Sequence, residues 1–326
     1  MNKNSKLSKG RRLSVAPMLD VTNKHCRYFH RLLAPQALLY TEMVTTGALI
    51  YGDISRHLDF NTEEHPVALQ LGGSDPKDLA HCTKLAEEWG YDEVNLNCGC
   101  PSERVKKGAF GACLMLEPEL VADCWVAMSE SCSLPISIKH RLGVDNHNDY
   151  GFTFNFVSKL YDVGCREFVT HARNAILSGL SPKDNRKIPP LKYDYVNKLK
   201  ADFPDANFVL NGGISNFDDA IRLAHEFDGI MIGRLAWHEP RVFGDIATHI
   251  FGNDTSFDFK FIRDSLIDYA LQNIGRGGNL REVVNPVLGL MNGLKGARRF
   301  RQLLSDPKNL RSNDISVISK AFDPFC

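Results

Sequence analysis

The feature that most limits what this chain can become is a recurrence: short apolar, β-type runs separated by stretches of helical period. Eight such runs are Leu13–Leu19 (LSVAPML), Leu38–Met43 (LLYTEM), Val67–Leu71 (VALQL), Glu93–Cys98 (EVNLNC), Ile136–Leu142 (ISIKHRL), Glu167–Ala172 (EFVTHA), Asn207–Gly213 (NFVLNGG) and Gly229–Arg234 (GIMIGR). Between them Thr22–Leu33, a segment capped by Asp75-Pro76 and running to Trp89, Pro118–Ser131, Tyr150–Val163, Tyr193–Asp202 and Asn216–Glu226 read as helices. Strands alternating with helices in this way over about 240 residues predict an α/β fold, a parallel (β/α)8 TIM barrel. A doubly wound open sheet usually has fewer strands and a glycine-rich first turn, which this sequence lacks.

Gly252-Asn253-Asp254-Thr255-Ser256 has linker composition. Beyond it Phe261–Asn273, Leu280–Leu290, Ala297–Leu304 and Ile315–Ala321 have no β alternation, which predicts a small all-helical domain. The division is therefore a barrel over residues 1–252 and a helical domain over 253–326. Pro286, inside the second helix, should kink it or mark a start. Apolar residues make up 43% and charged residues 24%, which excludes disorder, and the zero net charge selects no partner. Charge is uneven locally. Residues 1–12 carry Lys3, Lys6, Lys9, Arg11 and Arg12 with no acid, and residues 295–311 set six basic side chains against Asp306. The nine cysteines form no CxxC pair or zinc spacing, which favours reduced thiols and no metal. With no signal-peptide core and no apolar run of about eighteen residues, a cytoplasmic protein without a membrane segment is expected; a monomer is the expected state, though nothing in the sequence derives it.

In a parallel barrel the active site is built at the C-terminal strand ends. The fourth run feeds Asn97-Cys98-Gly99-Cys100-Pro101. Alternation puts Asn95 and Asn97 on one face and Leu96 and Cys98 on the other. Gly99 permits a bend, and Pro101, lacking an N–H, ends the strand, so Cys100 is presented at the rim beside two amides. Cys113, in Gly-Ala-Cys-Leu-Met, is the rival thiol, but its apolar neighbours suggest a helix start. Asn211-Gly212-Gly213 and Gly233-Arg234 close strands seven and eight, where this fold commonly binds phosphate. Lys139, inside Ile-Ser-Ile-Lys, is costly to bury without an anion. It either snorkels to the rim, forms a Schiff base, or stabilises negative charge on a flavin ring. His171 ends strand six and Gln70 lies on strand three. A phosphate cradle, an internal lysine and amides at ring height suit flavin mononucleotide (FMN) better than an aldolase.

Taken together, Ala16-Pro17-Met18-Leu19-Asp20, Tyr40-Thr41-Glu42-Met43, Ala68 to Gly73, Asn95 to Ser102, His171-Ala172-Arg173, Asn211-Gly212-Gly213 and Gly233-Arg234 resemble the tRNA-dihydrouridine synthases over most of the chain. Phe110 to Met115, Ser181 to Arg186 and Gly296-Ala297-Arg298 are similar to the A subfamily. The resemblance implies an FMN enzyme that uses NADPH to reduce the C5–C6 bond of uridine at positions 20 and 20a of the tRNA D-loop. It places FMN on Pro17, Met18, Leu19, Gln70, Lys139, His171, Asn211, Gly212, Gly213, Gly233 and Arg234. It assigns Cys100 as proton donor to C5 after hydride passes from flavin N5 to C6, and Asn97 as the residue that orients the uracil. Lys183, Arg186, Arg298 and Arg301 would contact tRNA. A thiol with an ordinary pKa of about 8.5 is mostly protonated at neutral pH and can act as an acid. The target base must leave its stack to reach the flavin. One departure from the A-type pattern is Asn285-Pro286, where those proteins tend to carry Arg-His. Two other readings fit parts of the pattern: a different FMN barrel oxidoreductase acting on a small pyrimidine, and a non-catalytic tRNA-binding protein.

Overall fold

A computed structural model describes residues 3–102, 108–252 and 258–326. The eight predicted strands are all present and close into one parallel barrel in sequence order: β1 Leu13–Val15, β2 Leu38–Thr45, β3 Val67–Gly72, β4 Glu93–Cys98, β5 Ile136–His140, β6 Glu167–His171, β7 Asn207–Asn211 and β8 Gly229–Ile232. Pairing of β1 with β8 (Ser14 opposite Met231) completes the circle and leaves no sheet edge. Several strands stop earlier than the apolar runs suggested. Backbone at Gly212 and Gly213 is left-handed (φ +106° and +79°), so β7 ends at Asn211, and β1 gives way before Pro17. The residues beyond these points form the rim.

The helices predicted between strands are found as Lys24–Leu33, Pro76–Trp89, Pro118–Ser131, Tyr150–Asp162, Tyr193–Asp202 and Phe217–Glu226. Their starts follow local chemistry. Asn23 accepts from the N–H groups of His25 and Cys26, and Asp75 from Lys77 and Asp78. Gly90 in the left-handed region ends the helix that Pro76 begins. Elements the sequence reading did not anticipate are a helix at Lys3–Arg11, short helices at Thr46–Tyr51, Ile54–Leu58 and Arg234–His238, and the eighth outer helix, Pro240–Phe251. Lys3–Arg11 lies under the barrel. Leu7 joins Ala16, Leu38, Tyr40, Ala68, Val169, Val209 and Met231 in an apolar cluster inside the barrel, separate from the larger core between strands and helices.

Most of the expected linker, residues 253–256, lies outside the described residues. From Asp258 onward every described element is helical: Phe259–Gly275, Leu280–Val284, Ala297–Ser305, Pro307–Arg311 and Ser316–Phe322, with a 3-10 turn at Asn285–Gly289. The expected helix Leu280–Leu290 is thus broken at the residue before Pro286, which cannot donate to the preceding turn. The helical region packs on the barrel. Tyr269 stacks on Tyr28 with ring centroids 3.9 Å apart and its hydroxyl bonds His25 at 2.8 Å, while Asn292 donates to the His238 carbonyl at 2.8 Å.

Candidate active site

The C-terminal ends of β1 and β3 to β8 bring the sequence-selected barrel residues to one rim. On β4, alternation runs as expected: Glu93, Asn95 and Asn97 point into the barrel, while Val94, Leu96 and Cys98 join the outer core. The turn that carries Cys100 is held by a side chain rather than by a special backbone. Asn97 Oδ1 accepts from the N–H groups of Gly99 (3.0 Å) and Cys100 (2.9 Å). Gly99 is not required for the bend, contrary to the sequence expectation. It is not at positive φ, and a Cβ there would meet nothing closer than 3.5 Å. The Cys100 carbonyl accepts from Ala112 at 2.9 Å, and its Sγ lies 3.5 Å from Ser102 Oγ. Cys113 sits in the 3-10 segment Gly111–Leu116 that packs behind this turn. No disulfide links the cysteines.

Beside Cys100 the site is cationic. Lys139 Nζ donates to Asn211 Oδ1 at 3.1 Å, and Asn211 Nδ2 in turn donates to the Met231 carbonyl at 2.8 Å, so β5, β7 and β8 are tied at the rim. Burial, reinforced by Arg141, pulls the Lys139 ammonium down to about 7. Burial together with Arg141, Lys139, Arg173 and Arg186 holds His171 well below its usual range, so the imidazole is neutral at pH 7. Arg141 is itself lowered to about 10, chiefly by burial, and Arg173 and Arg186 are lowered by burial and by Arg234. Among the described residues, no carboxylate figures in the fields acting on these five groups.

The loop after β7 turns on two glycines that neighbouring side chains approach closely. A Cβ on Gly212 would sit 2.5 Å from His171 Cδ2, and one on Gly213 would sit 2.5 Å from Leu191 Cδ1 and 2.6 Å from Tyr193 Oη. Both positions combine positive φ with close approach, so only glycine fits. Gly233 opens the short helix Arg234–His238, and Arg234 is exposed above it. On β1 the loop Pro17-Met18-Leu19 is folded back by Thr22, whose Oγ1 accepts from Met18 N–H at 3.0 Å. Leu19 is left exposed. Gln70 on β3 is buried and bonds both Asn95 and Asn97.

Lys183 and Arg186 are exposed on the loop after β6, and Arg186 acts electrostatically on Arg141 and His171, so that loop overhangs the mouth. Arg298 and Arg301 lie away from the strand ends, exposed on Ala297–Ser305. Arg301 reaches Asn292, the residue that bonds the helix next to Arg234. Arg141 is the residue sequence reasoning undervalued. Its Nε donates to the Gly99 carbonyl at 2.8 Å and its Nη1 to the carbonyls of Asn174 and Asn185 at 2.8 and 3.0 Å. It thereby fastens the Cys100 turn to the loop after β6. The signal was present, since Arg141 follows Lys139 on the same strand face. Among the described residues, no group of three His, Cys, Asp or Glu side chains has metal-binding geometry, and no helix is long and apolar enough to cross a membrane.

The chain is a closed parallel barrel whose C-terminal rim gathers several cationic side chains, two conformationally required glycines and a presented thiol. Solved structures with the same fold include the old yellow enzyme homologue from Zymomonas mobilis (TM-score 0.53, 11% identity, 76% of this chain and 90% of that one) and a 2-naphthoyl-CoA reductase (TM-score 0.56, 9% identity, 74% and 50%). The dihydrouridine synthase (Dus) family model matches residues 14–323, and the chain belongs to that family. Similar curated proteins are the tRNA-dihydrouridine(20/20a) synthases of Pseudomonas putida (50% identical, covering 96% of this chain and 94% of the relative), Salmonella typhi (48%, 95% and 94%) and Pseudomonas aeruginosa (46%, 98% and 97%).

Proposed function

We propose that this protein reduces uridine to 5,6-dihydrouridine in tRNA, at positions 20 and 20a of the D-loop, with FMN as cofactor and NADPH as reductant. The observation that carries the reading is the rim itself: a thiol held on a braced turn of β4, beside buried cations that have no counter-ion of their own. Such a set fits an anionic, planar cofactor, because a phosphate and a reducible ring bring the missing negative charge. Pro17, Met18 and Leu19 would line it from β1, Gln70 from β3, Lys139 and His171 from β5 and β6, and Asn211, Gly212, Gly213, Gly233 and Arg234 from β7 and β8. When bound, FMN supplies the hydride for C6 of the uracil, and NADPH replenishes it.

The chain's own part is to place and protonate the base. Cys100 Sγ gives its proton to C5, and the thiolate is then reprotonated from solvent. Asn97 has committed its oxygen to two backbone N–H groups and one amide hydrogen to Gln70, which leaves one N–H to aim the uracil. The Lys139 ammonium offsets negative charge at the ring, and neutral His171 contributes one donor and one acceptor without adding a cation. Lys183 and Arg186 above the mouth, and Arg298 and Arg301 on the helical domain of residues 253–326, would hold tRNA phosphates while the target base is extruded.

Mapping dihydrouridine by mass spectrometry in tRNA from cells with and without this protein tests the reading. Dihydrouridine at 20 and 20a should disappear with the protein and return on complementation. In the Cys100→Ala variant, uridine reduction should fall roughly 10²- to 10⁴-fold while NADPH still reduces the bound flavin. Undiminished reduction would remove Cys100 from the mechanism.

A further inference from the structure

The interior of a parallel barrel is ordinarily filled by layers of branched apolar side chains. Here that holds for only part of the circumference, where Val169, Val209, Met231, Ala16 and Leu38 pack with Leu7. On β3, β4 and β5 the inward positions include, besides Ala68 and Lys139, the polar residues Gln70, Glu93, Asn95, Asn97 and Ser137, these five at most 7% exposed. Buried polar side chains are tolerated when each finds a partner, and these find one another in sequence. Ser137 Oγ donates to Glu93 Oε1 at 2.5 Å, Asn95 Nδ2 to Ser137 Oγ at 2.8 Å, and Gln70 Nε2 to Asn95 Oδ1 at 2.8 Å. Asn97 Nδ2 then donates to Gln70 Oε1 at 2.8 Å, and Asn97 Oδ1 receives the N–H groups of Gly99 and Cys100.

The direction of this line follows from its ends. At the lower end Glu93 is closed over by Arg11, whose Nε and Nη2 lie 3.0 and 2.7 Å from Oε2, and Tyr40 donates to Oε1 at 2.7 Å. A carboxylate so surrounded only accepts, so the Ser137 hydroxyl must donate to it and its lone pair must face Asn95. At the upper end two backbone N–H groups only donate, so Asn97 must present oxygen to them. Between these ends each amide has one orientation that satisfies both neighbours, and turning any one of them sets N–H against N–H or O against O. We propose that the Cys100 turn is oriented from the opposite end of the barrel through this polarised line, Glu93–Ser137–Asn95–Gln70–Asn97, with Ser137 and Asn95 as positioning residues. Arg11, delivered by the helix beneath the barrel, anchors the lower end. The consequence for turnover rests on Cys100 being the proton donor, as proposed above; the line itself does not.

The test compares the full-length, flavin-loaded wild type with Ser137→Ala, Ser137→Thr and Asn95→Leu. Amide hydrogen exchange is read on peptides spanning residues 95–102 and over the rest of the barrel, beside steady-state reduction of uridine in tRNA. Cutting the line at Ser137 should speed exchange at Gly99 and Cys100 about tenfold, with the other strands unchanged. It should lower kcat about tenfold at an unaltered KM for tRNA, because the thiol is misplaced while the tRNA contacts are intact. Ser137→Thr, which keeps the hydroxyl, should restore both. Asn95→Leu removes the next link and should reproduce the Ser137→Ala pattern; it decides the matter if Ser137→Ala does not fold. Unchanged exchange at Gly99 and Cys100 in both cuts, acceleration spread evenly through the barrel, or no recovery in Ser137→Thr would each overturn the proposal. Local acceleration in a protein whose wild type forms no dihydrouridine would uphold the line and defeat the functional reading instead.

Discussion

The two ends of the barrel treat buried cations in opposite ways. At the lower end Arg11 bridges Glu93 and Glu167 at 2.7 and 2.9 Å. Burial alone would lower its pKa, but the two carboxylates more than compensate and hold it above its ordinary value. At the upper end buried Lys139 is pushed down by burial and by Arg141, and Arg141 by burial and by Arg186 and Arg173, which are themselves lowered by burial and by Arg234; no acid among the described residues offsets them. The lower end is a finished structural joint, and the upper end is short of negative charge. A depressed arginine is not by itself a sign of function, however. Arg31, in the outer helix layer, is also lowered to about 10, yet its guanidinium is spent on the carbonyls of Ala34, Glu64 and Pro66. Arg141 resembles Arg31 in donating to three carbonyls. Lys139 differs, because its Nζ is bonded only to a neutral amide oxygen among the described residues. The contrast therefore singles out Lys139 as the buried cation on which the proposed flavin site most depends.

The sharpest way to break the comparison is Arg11→Met. It leaves Glu93 and Glu167 in the barrel floor without their cation, and removing one partner of a buried pair costs about 3–5 kcal/mol. The loss should appear in urea denaturation of the full chain, with flavin affinity changed far less than stability. If the variant were as stable as the wild type, the lower end would not be the joint described here.

How much of this was legible in the sequence depends on how local the signal was. The eight strands and most outer helices could be read because period and turn residues are local properties. Strand ends were overrun, since Gly212 and Gly213 directly follow the run ending at Asn211 but turn left-handed in space. Pro240–Phe251 carries Phe243, Ile246, Ala247 and Ile250 at helical spacing, a signal that a strand-centred reading passes over. Lys3–Arg11 gives almost none, because Leu7 is its one apolar residue, and the partner of Arg11 on β4 is 82 residues away. The rim was legible residue by residue, from strand ends and from resemblance. What could not be read was the pairing register, which sets Gln70 opposite Asn95 and Asn95 opposite Ser137. Without it Asn97 looks like a group aimed wholly at a ligand, whereas most of its amide is committed to the Cys100 turn.

The upper end makes a pH-dependent prediction of smaller size. With no anion bound, Lys139 loses its proton near pH 7, and a bound anion favours the ammonium. At pH 7 and just below the cation is already present, so affinity for the proposed FMN should be greatest there. As pH rises above 7, where the FMN phosphate is already dianionic, each unit should weaken binding by up to about tenfold until the lysine of the complex titrates. Lys139→Met should bind more weakly at pH 7 and lose this slope, as measured by quenching of FMN fluorescence on titration with apoprotein. The same shift has a stability sign. Because the folded pKa lies below the unfolded value of 10.5, the unfolded chain holds more protons between about pH 7 and 10.5, and the apoprotein should gain stability from this group as pH rises through that window. A flat FMN affinity between pH 7 and 9 in the wild type would show that Lys139 does not face the ligand's charge.

The smallest effect belongs to the exposed cations, which extend the comparison outward from the buried rim. Arg298 and Arg301 are exposed and three residues apart on Ala297–Ser305, so each exerts little on the fold, and the tRNA contact proposed for them should show only in binding. Arg301 is tied through Asn292 to the His238 carbonyl, at the end of the short helix that Arg234 begins after β8. Arg298→Ala with Arg301→Ala should raise KM for tRNA several-fold with kcat and flavin content unchanged. The slope of log affinity against log salt concentration should flatten by roughly one for each arginine that sits on a phosphate. If kcat fell instead and the salt slope stayed the same, these side chains would be acting through the catalytic rim, and the division between a buried charge-deficient site and a solvated phosphate track would have to be redrawn.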